Sequence, residues 1–101
     1  MIHVIATITL NTGTRAAFLV EFTKVTPLVR EEVGCIEYQA TIDVATPQAT
    51  HPPREDVVVV VEKWADLAAL QAHSTAKHMA DYRVHVKDFI KSVSLQILEP
   101  A

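Results

Sequence analysis

The chain is expected to be an α+β domain with two helical units on one face of a four-stranded antiparallel sheet. Three observations carry that expectation. Four segments alternate apolar with polar residues, the spacing of half-buried strands. Between the first and second, and between the third and fourth, apolar residues recur every three to four positions, as in amphipathic helices. The third strand segment is a run of five valines, Val57 to Val61, which puts apolar side chains on both sides of the sheet.

The first strand is Ile2 to Leu10, with Ile2, Val4, Ala6, Ile8 and Leu10 on its richer face. Asn11-Thr12-Gly13-Thr14 is turn chemistry, and Thr14 is a candidate N-cap. From Arg15 the period becomes helical, with Phe18, Phe22, Val25 and Val29 on one stripe and Glu21, Lys24 and Arg30 facing away. Pro27 is expected to kink this helix or to start a second short one. Gly34 is placed as a left-handed residue that closes it.

Ile36, Tyr38, Ala40, Ile42 and Val44 form one face of the second strand. Ala45 to Asp56 carries Pro47, Pro52 and Pro53 and reads as a long, proline-stiffened loop. The third strand runs from Val57 to Trp64. Asp66 is the expected N-cap of a short helix through Leu67, Leu70 and His73. Ser74-Thr75 is expected to break that helix and cap another, with His78, Tyr82, His85, Val86 and Phe89 on one stripe. Lys91 to Glu99 is the fourth strand. The order β-α-β-β-α-β is the ferredoxin-like pattern of two interleaved units, here in one domain spanning residues 1–101.

Composition narrows the function. Nine basic and 12 acidic residues leave a net charge of −3, against the clustered Lys and Arg of nucleic-acid binding. A single cysteine, Cys35, rules out an internal disulfide and a Cys-rich metal site. Cys35 follows a glycine at a strand start and is expected to be buried rather than nucleophilic. No leader-like N-terminus and no apolar run of membrane length are apparent, so a soluble, cytoplasmic protein without membrane contact is expected.

The valine run implies a partner. Val58 and Val60 share parity with Glu62 and Trp64, whereas Val57, Val59 and Val61 point the other way. Two helices cannot cover both faces. Exposing three valines would forgo several kcal/mol at about 25 cal/mol per Å², and two-fold self-association is the commonest way to cover such a patch. A homodimer through the sheet faces is therefore expected.

The stretch Glu62 to His78 carries the candidate chemistry. It sets a carboxylate and an indole on one strand face, with His73 and His78 on the helical segment that follows. Paired Glu and His exchange protons near neutral pH once burial shifts their pKa values. Trp64 offers a flat apolar wall for a planar ring. His73 and His78 are five apart across an expected break, unlike the i, i+4 pair of a helical zinc site, and no metal is expected. His51, in the proline-rich loop, is expected to be exposed.

Two stretches resemble the antibiotic biosynthesis monooxygenase family. Arg30-Glu31-Glu32-Val33-Gly34-Cys35-Ile36-Glu37-Tyr38 is similar to the family's E-x-G-C-x-x-Y entry to the second strand. Glu62-Lys63-Trp64 through Leu70, His73 and His78 is similar to its longer E-x-W-x-x-x-x-A-L-x-x-H-x-x-x-x-H signature. The resemblance implies a dimeric α+β barrel and, in many members, oxidation of a phenol, quinol or anthrone by O2 without metal, flavin or other cofactor. It implies Trp64 stacking on the ring, and His78 or His73 as base or anion-stabilising donor. Glu62 would orient an imidazole, with Tyr38 or Tyr82 anchoring a polar group. The haem-degrading branch is disfavoured, because its Asn position falls at Ala6 or Thr7 and its His position near Tyr82. A branch that isomerises a phosphorylated signal needs convergent cations; the candidates, such as Arg83 and Lys87, are scattered, and the branch stays open. The alternative is thus a non-oxidative isomerase, or a small-molecule-binding or stress-related dimer without turnover.

Overall fold

The computed structural model describes all 101 residues. The elements are β1 (Ile2–Leu10), α1 (Arg15–Arg30), β2 (Cys35–Thr41), β3 (Val57–Trp64), α2 (Leu67–Ser74), α3 (Lys77–Val86) and β4 (Ile90–Leu98). The strands form one antiparallel sheet in the order β2-β3-β1-β4. The α+β class, the four-stranded sheet and the break between α2 and α3 are as expected, but the barrel is not. The sheet is open and forms no barrel: β2 and β4 are its two edges and no ladder joins them. Side-chain-filled barrels take about eight strands, and this chain has half that number.

Register explains which face is covered. In the β1–β3 ladder Ile8 faces Val58, Ala6 faces Val60, Val4 faces Glu62 and Ile2 faces Trp64. All eight of these side chains are buried beneath the helices. The opposite parity puts Thr9, Thr7, Ile5 and His3 beside Val57, Val59, Val61 and Lys63 on the outer face. β4 is less covered: Val93, Leu95 and Ile97 pair with Ile8, Ala6 and Val4 on the helix side, yet each remains exposed.

Helix α1 buries Phe18, Phe22, Val25 and Val29, the stripe read from its period. It continues through Pro27 as one element rather than dividing there. Pro27 lies in the last turn, where it removes only one i→i−4 bond, and Val25 and Val29 hold both sides to the core. Thr14 occupies the N-cap position without capping through its side chain. Its hydroxyl instead donates to the Asn11 carbonyl at 2.7 Å, fixing the turn. Asp66 does cap α2, accepting from the Ala69 N–H at 2.8 Å.

Ser74 and Thr75 end α2 by donating back to the carbonyls of Gln71 and Ala72. They do not cap α3, whose N-cap is Ala76. The buried side chains of α3 are Met79 and Val86, while His85, placed on the apolar stripe by spacing, is exposed. The loop after β2 begins earlier than expected, at Ile42, and is tied at its ends. Arg54 donates to both oxygens of Asp43, at 2.8 and 3.0 Å. That guanidinium and the Arg54 backbone N–H hold the Asp43 carboxyl down at about 2. Asp56 accepts from Leu10 and Gly13, joining the loop to the β1–α1 turn.

Candidate active site

Between the sheet and the helices lies a cavity of about 300 Å³, at the lower end of small-molecule sites. Its walls are apolar: Val4, Ala6 and Ile8 from β1, Val60 from β3, Met79 and Val86 from α3, and Val93, Leu95 and Ile97 along its β4 side. Polar side chains reach it from Tyr38, Glu62, His73, Ser74, Tyr82 and Arg83. No residue of the Ala45–Asp56 loop lines it.

Strand parity and helix spacing place the polar groups. Tyr38 and Glu62 are cross-strand partners in the β2–β3 ladder, so both point beneath the helices. The Tyr38 ring stacks on Phe22, with centroids 5.2 Å apart and planes 9° from parallel. It meets the His73 imidazole edge-on at 5.4 Å. Tyr82, one helical turn beyond His78, makes edge contacts with Phe18 and Phe22 at 6.3 Å. The aromatic wall of the cavity is therefore Phe22, Tyr38 and Tyr82.

Trp64, the wall suggested by its sequence position, is fully buried and does not line the cavity. Its indole packs against His73 at 4.6 Å between centroids, and its Nε1–H donates to Glu62 Oε1 at 2.9 Å. The alternation of β3 tells which face Trp64 occupies; α2, folding directly back over the strand end, decides its depth.

Glu32 was not among the residues the spacing singled out, and it organises both imidazoles. Its Oε2 accepts from His73 Nδ1 at 2.9 Å and from His78 Nε2 at 2.7 Å. Its side chain is only 13% exposed. Glu32 lies in the irregular turn between α1 and β2, where no periodicity operates. The only signal was its place in the E-x-G-C-x-x-Y stretch. The two motifs of the sequence thus meet: Glu32 bonds both histidines, Cys35 pairs with Trp64, and Tyr38 pairs with Glu62. His78 itself does not line the cavity; it borders a separate outer groove with Glu21, Lys24 and His85.

The expected roles of Glu62 and the histidines change accordingly. Glu62 bonds Trp64 and neither imidazole. No fully enclosed polar side-chain atom lacks a hydrogen bond. The second Glu62 oxygen, His73 Nε2 and the Tyr38 and Tyr82 hydroxyls have no protein partner, so these atoms are not fully enclosed, and all four residues line the cavity. Burial raises the Glu62 carboxyl above its ordinary value, against the Trp64 hydrogen bond and the His73 charge that lower it. Burial also raises both phenols, with the Glu62 charge adding to it, so Tyr38 and Tyr82 stay protonated donors. The Cys35 thiol is raised too, first by burial and then by the Glu32 and Glu62 charges, which keeps it out of the thiolate form. No group of three or more His, Cys, Asp or Glu is arranged to hold a metal ion, and no helix is long and apolar enough to cross a membrane.

Comparison with known proteins agrees with this architecture. The sequence profile described as "Antibiotic biosynthesis monooxygenase" matches residues 1–84. The chain is 34% identical over 102 aligned positions to "Probable quinol monooxygenase YgiN" of Escherichia coli K12, covering 99% of this chain and 98% of that protein. The same protein of Shigella flexneri matches equally. Among solved structures, PA3566 from Pseudomonas aeruginosa superposes with a TM-score of 0.80 at 25% identity, over 99% of this chain and 93% of that one. Rv0793 from Mycobacterium tuberculosis gives 0.78 at 22%, over 99% and 94%. With a profile covering most of its length and a full-length relative above 30% identity, the chain belongs to the antibiotic biosynthesis monooxygenase family.

Proposed function

We propose that this protein is a monooxygenase that oxidises a small hydroxylated aromatic ring of the quinol class with O2, working as a homodimer. One observation carries the reading: a mostly apolar cavity whose polar side chains include two phenol donors, a carboxylate and an imidazole, beside a wall of aromatic rings. Such a cavity holds a ring by its faces and its hydroxyls by hydrogen bonds. Family membership and the quinol monooxygenase relative support the choice of reaction.

The overall change converts a quinol and O2 to a hydroxylated quinone and water. His73 Nε2 takes the first hydroxyl proton, since Nδ1 is already committed to Glu32. Tyr38 and Tyr82 donate to the resulting phenolate oxygen, and Glu62 accepts from the second hydroxyl. The phenolate is the electron-rich species that passes electrons to O2. The outer oxygen of the ring-bound peroxide takes the proton held on His73; the O–O bond then breaks as the C–H proton of the same ring carbon is lost, leaving a ring carbonyl and releasing the outer oxygen as water. Trp64 acts from behind, fixing Glu62 and the plane of His73. Arg83 is the only cation lining the cavity and already donates to the Ser74 carbonyl at 2.9 Å. A single guanidinium is a thin phosphate site, which favours the oxidative reading over isomerisation of a phosphorylated compound.

Oxygen uptake with a panel of quinols and anthrones tests the proposal. His73→Gln is expected to lower kcat by about 10²–10⁴-fold, the usual share of general base catalysis. Absence of uptake by the unmodified protein across the panel would end the oxidative reading. Unchanged kcat in His73→Gln would end the assignment of the base.

A further inference from the structure

We propose that Glu32 is the positioning residue of this site, a carboxylate that sets the tautomer and orientation of His73 while anchoring His78. The inference rests on the reading of His73 as the base. A neutral imidazole carries one N–H and one lone pair, and the hydrogen bond at one nitrogen decides what the other can do. An ionised carboxylate only accepts. At 2.9 Å from Glu32 Oε2, Nδ1 of His73 therefore carries the proton, and Nε2 of this cavity-lining residue carries the lone pair. Once Nε2 has taken a proton, the imidazolium stands against the same carboxylate, which stabilises it.

His78 has a different task. Its Nε2 lies 2.7 Å from the same Glu32 oxygen, but its ring borders the outer groove rather than the cavity. The bond ties the first turn of α3 to the α1–β2 turn, so α2, α3 and the end of α1 share one anchor. With two imidazoles on one oxygen, Glu32 is held in place from two elements, a requirement for an orienting group to be rigid. Glu62 does not share this task, because it bonds the Trp64 indole and neither imidazole.

The test reads tautomers first and rates second. In ¹⁵N-labelled protein at mildly alkaline pH, long-range ¹H–¹⁵N spectra are expected to show His73 as the Nδ1–H form and His78 as the Nε2–H form. In Glu32→Ala both assignments are expected to be lost, with kcat for quinol oxidation falling at least 100-fold. Glu32→Gln keeps the volume but removes the charge, and is expected to lower kcat at least tenfold with KM within twofold. The proposal is overturned if His73 in the unmodified protein is the Nε2–H form, or if Glu32→Gln retains full kcat. If the unmodified protein oxidises no quinol, the proposed reaction falls, while the imidazole spectra still decide whether Glu32 sets the tautomers.

Discussion

Glu62 is a carboxylate on the apolar face of a strand, between Val60 and Trp64, and 6% exposed. Withdrawing it from water costs free energy when it is charged, and the indole N–H offsets only part of that. The consequence for stability has a definite sign. A carboxyl raised by folding binds its proton more tightly in the folded chain, so stability falls as pH rises from the ordinary carboxylate range through the folded-state pKa. Glu62→Gln removes that titration and keeps an oxygen to accept from Trp64. Denaturant unfolding is expected to show the variant gaining on the parent between mildly acidic and neutral pH. An equal pH slope in both proteins would contradict the assignment of burial as the dominant cause.

At the scale of elements, the α1–β2 turn packs closely against α2. Gly34 has φ +83, and a Cβ there would lie 2.6 Å from Ala69 Cβ and 3.5 Å from Ala65 Cβ. Its carbonyl also accepts from the Ala65 N–H at 2.8 Å. Gly34→Ala combines a left-handed backbone penalty of about 1–2 kcal/mol with overpacking of about 1–3 kcal/mol. Gly13 has φ +80 but open space around it, so Gly13→Ala carries only the first cost. Thermal unfolding is expected to rank Gly34→Ala well below Gly13→Ala, and equal losses would remove the packing argument. The left-handed role of Gly34 was legible from its place after a helical run. The contact with Ala69 was not, because sequence spacing carries no distance between α2 and the turn. The same limit applies to the site. Period 2 put Glu62 and Trp64 on one face, correctly, but could not say that Trp64 would be roofed by α2. Glu32 sits in the irregular turn between two periodic segments, where neither period can mark a buried residue. Helical spacing also put His85 on the apolar stripe, whereas the side chains that α3 buries are Met79 and Val86.

At the scale of the whole molecule, the open question is what covers the outer face of the sheet. Val59 and Val61 are only half-buried there, next to Thr7 and Ile5. Around this stripe the face turns polar, with Thr41, Gln39 and Lys63 toward β2 and Ser92, Ser94 and Gln96 on β4. An apolar centre with a polar rim is the layout of a protein interface, and a two-fold axis through the stripe would set the valines of one copy against those of another. The proposed homodimer should then sediment at micromolar concentration with twice the 11.2 kDa of one chain. Val61→Asp places an unpaired charge at the centre of that contact. Burying such a charge costs roughly 3–5 kcal/mol, which weakens association on the order of a thousandfold. In the single chain Val61 is partly exposed, on the face opposite the cavity, so the variant is expected to keep its secondary structure while sedimenting as a monomer. A parent chain that is monomeric at micromolar concentration, or a Val61→Asp variant that stays dimeric, would show that this face is not the contact. Because the cavity lies on the other side of the sheet, monomeric Val61→Asp also asks whether oxidation needs the second copy. Retained kcat would mean that the residues of one chain suffice for the chemistry.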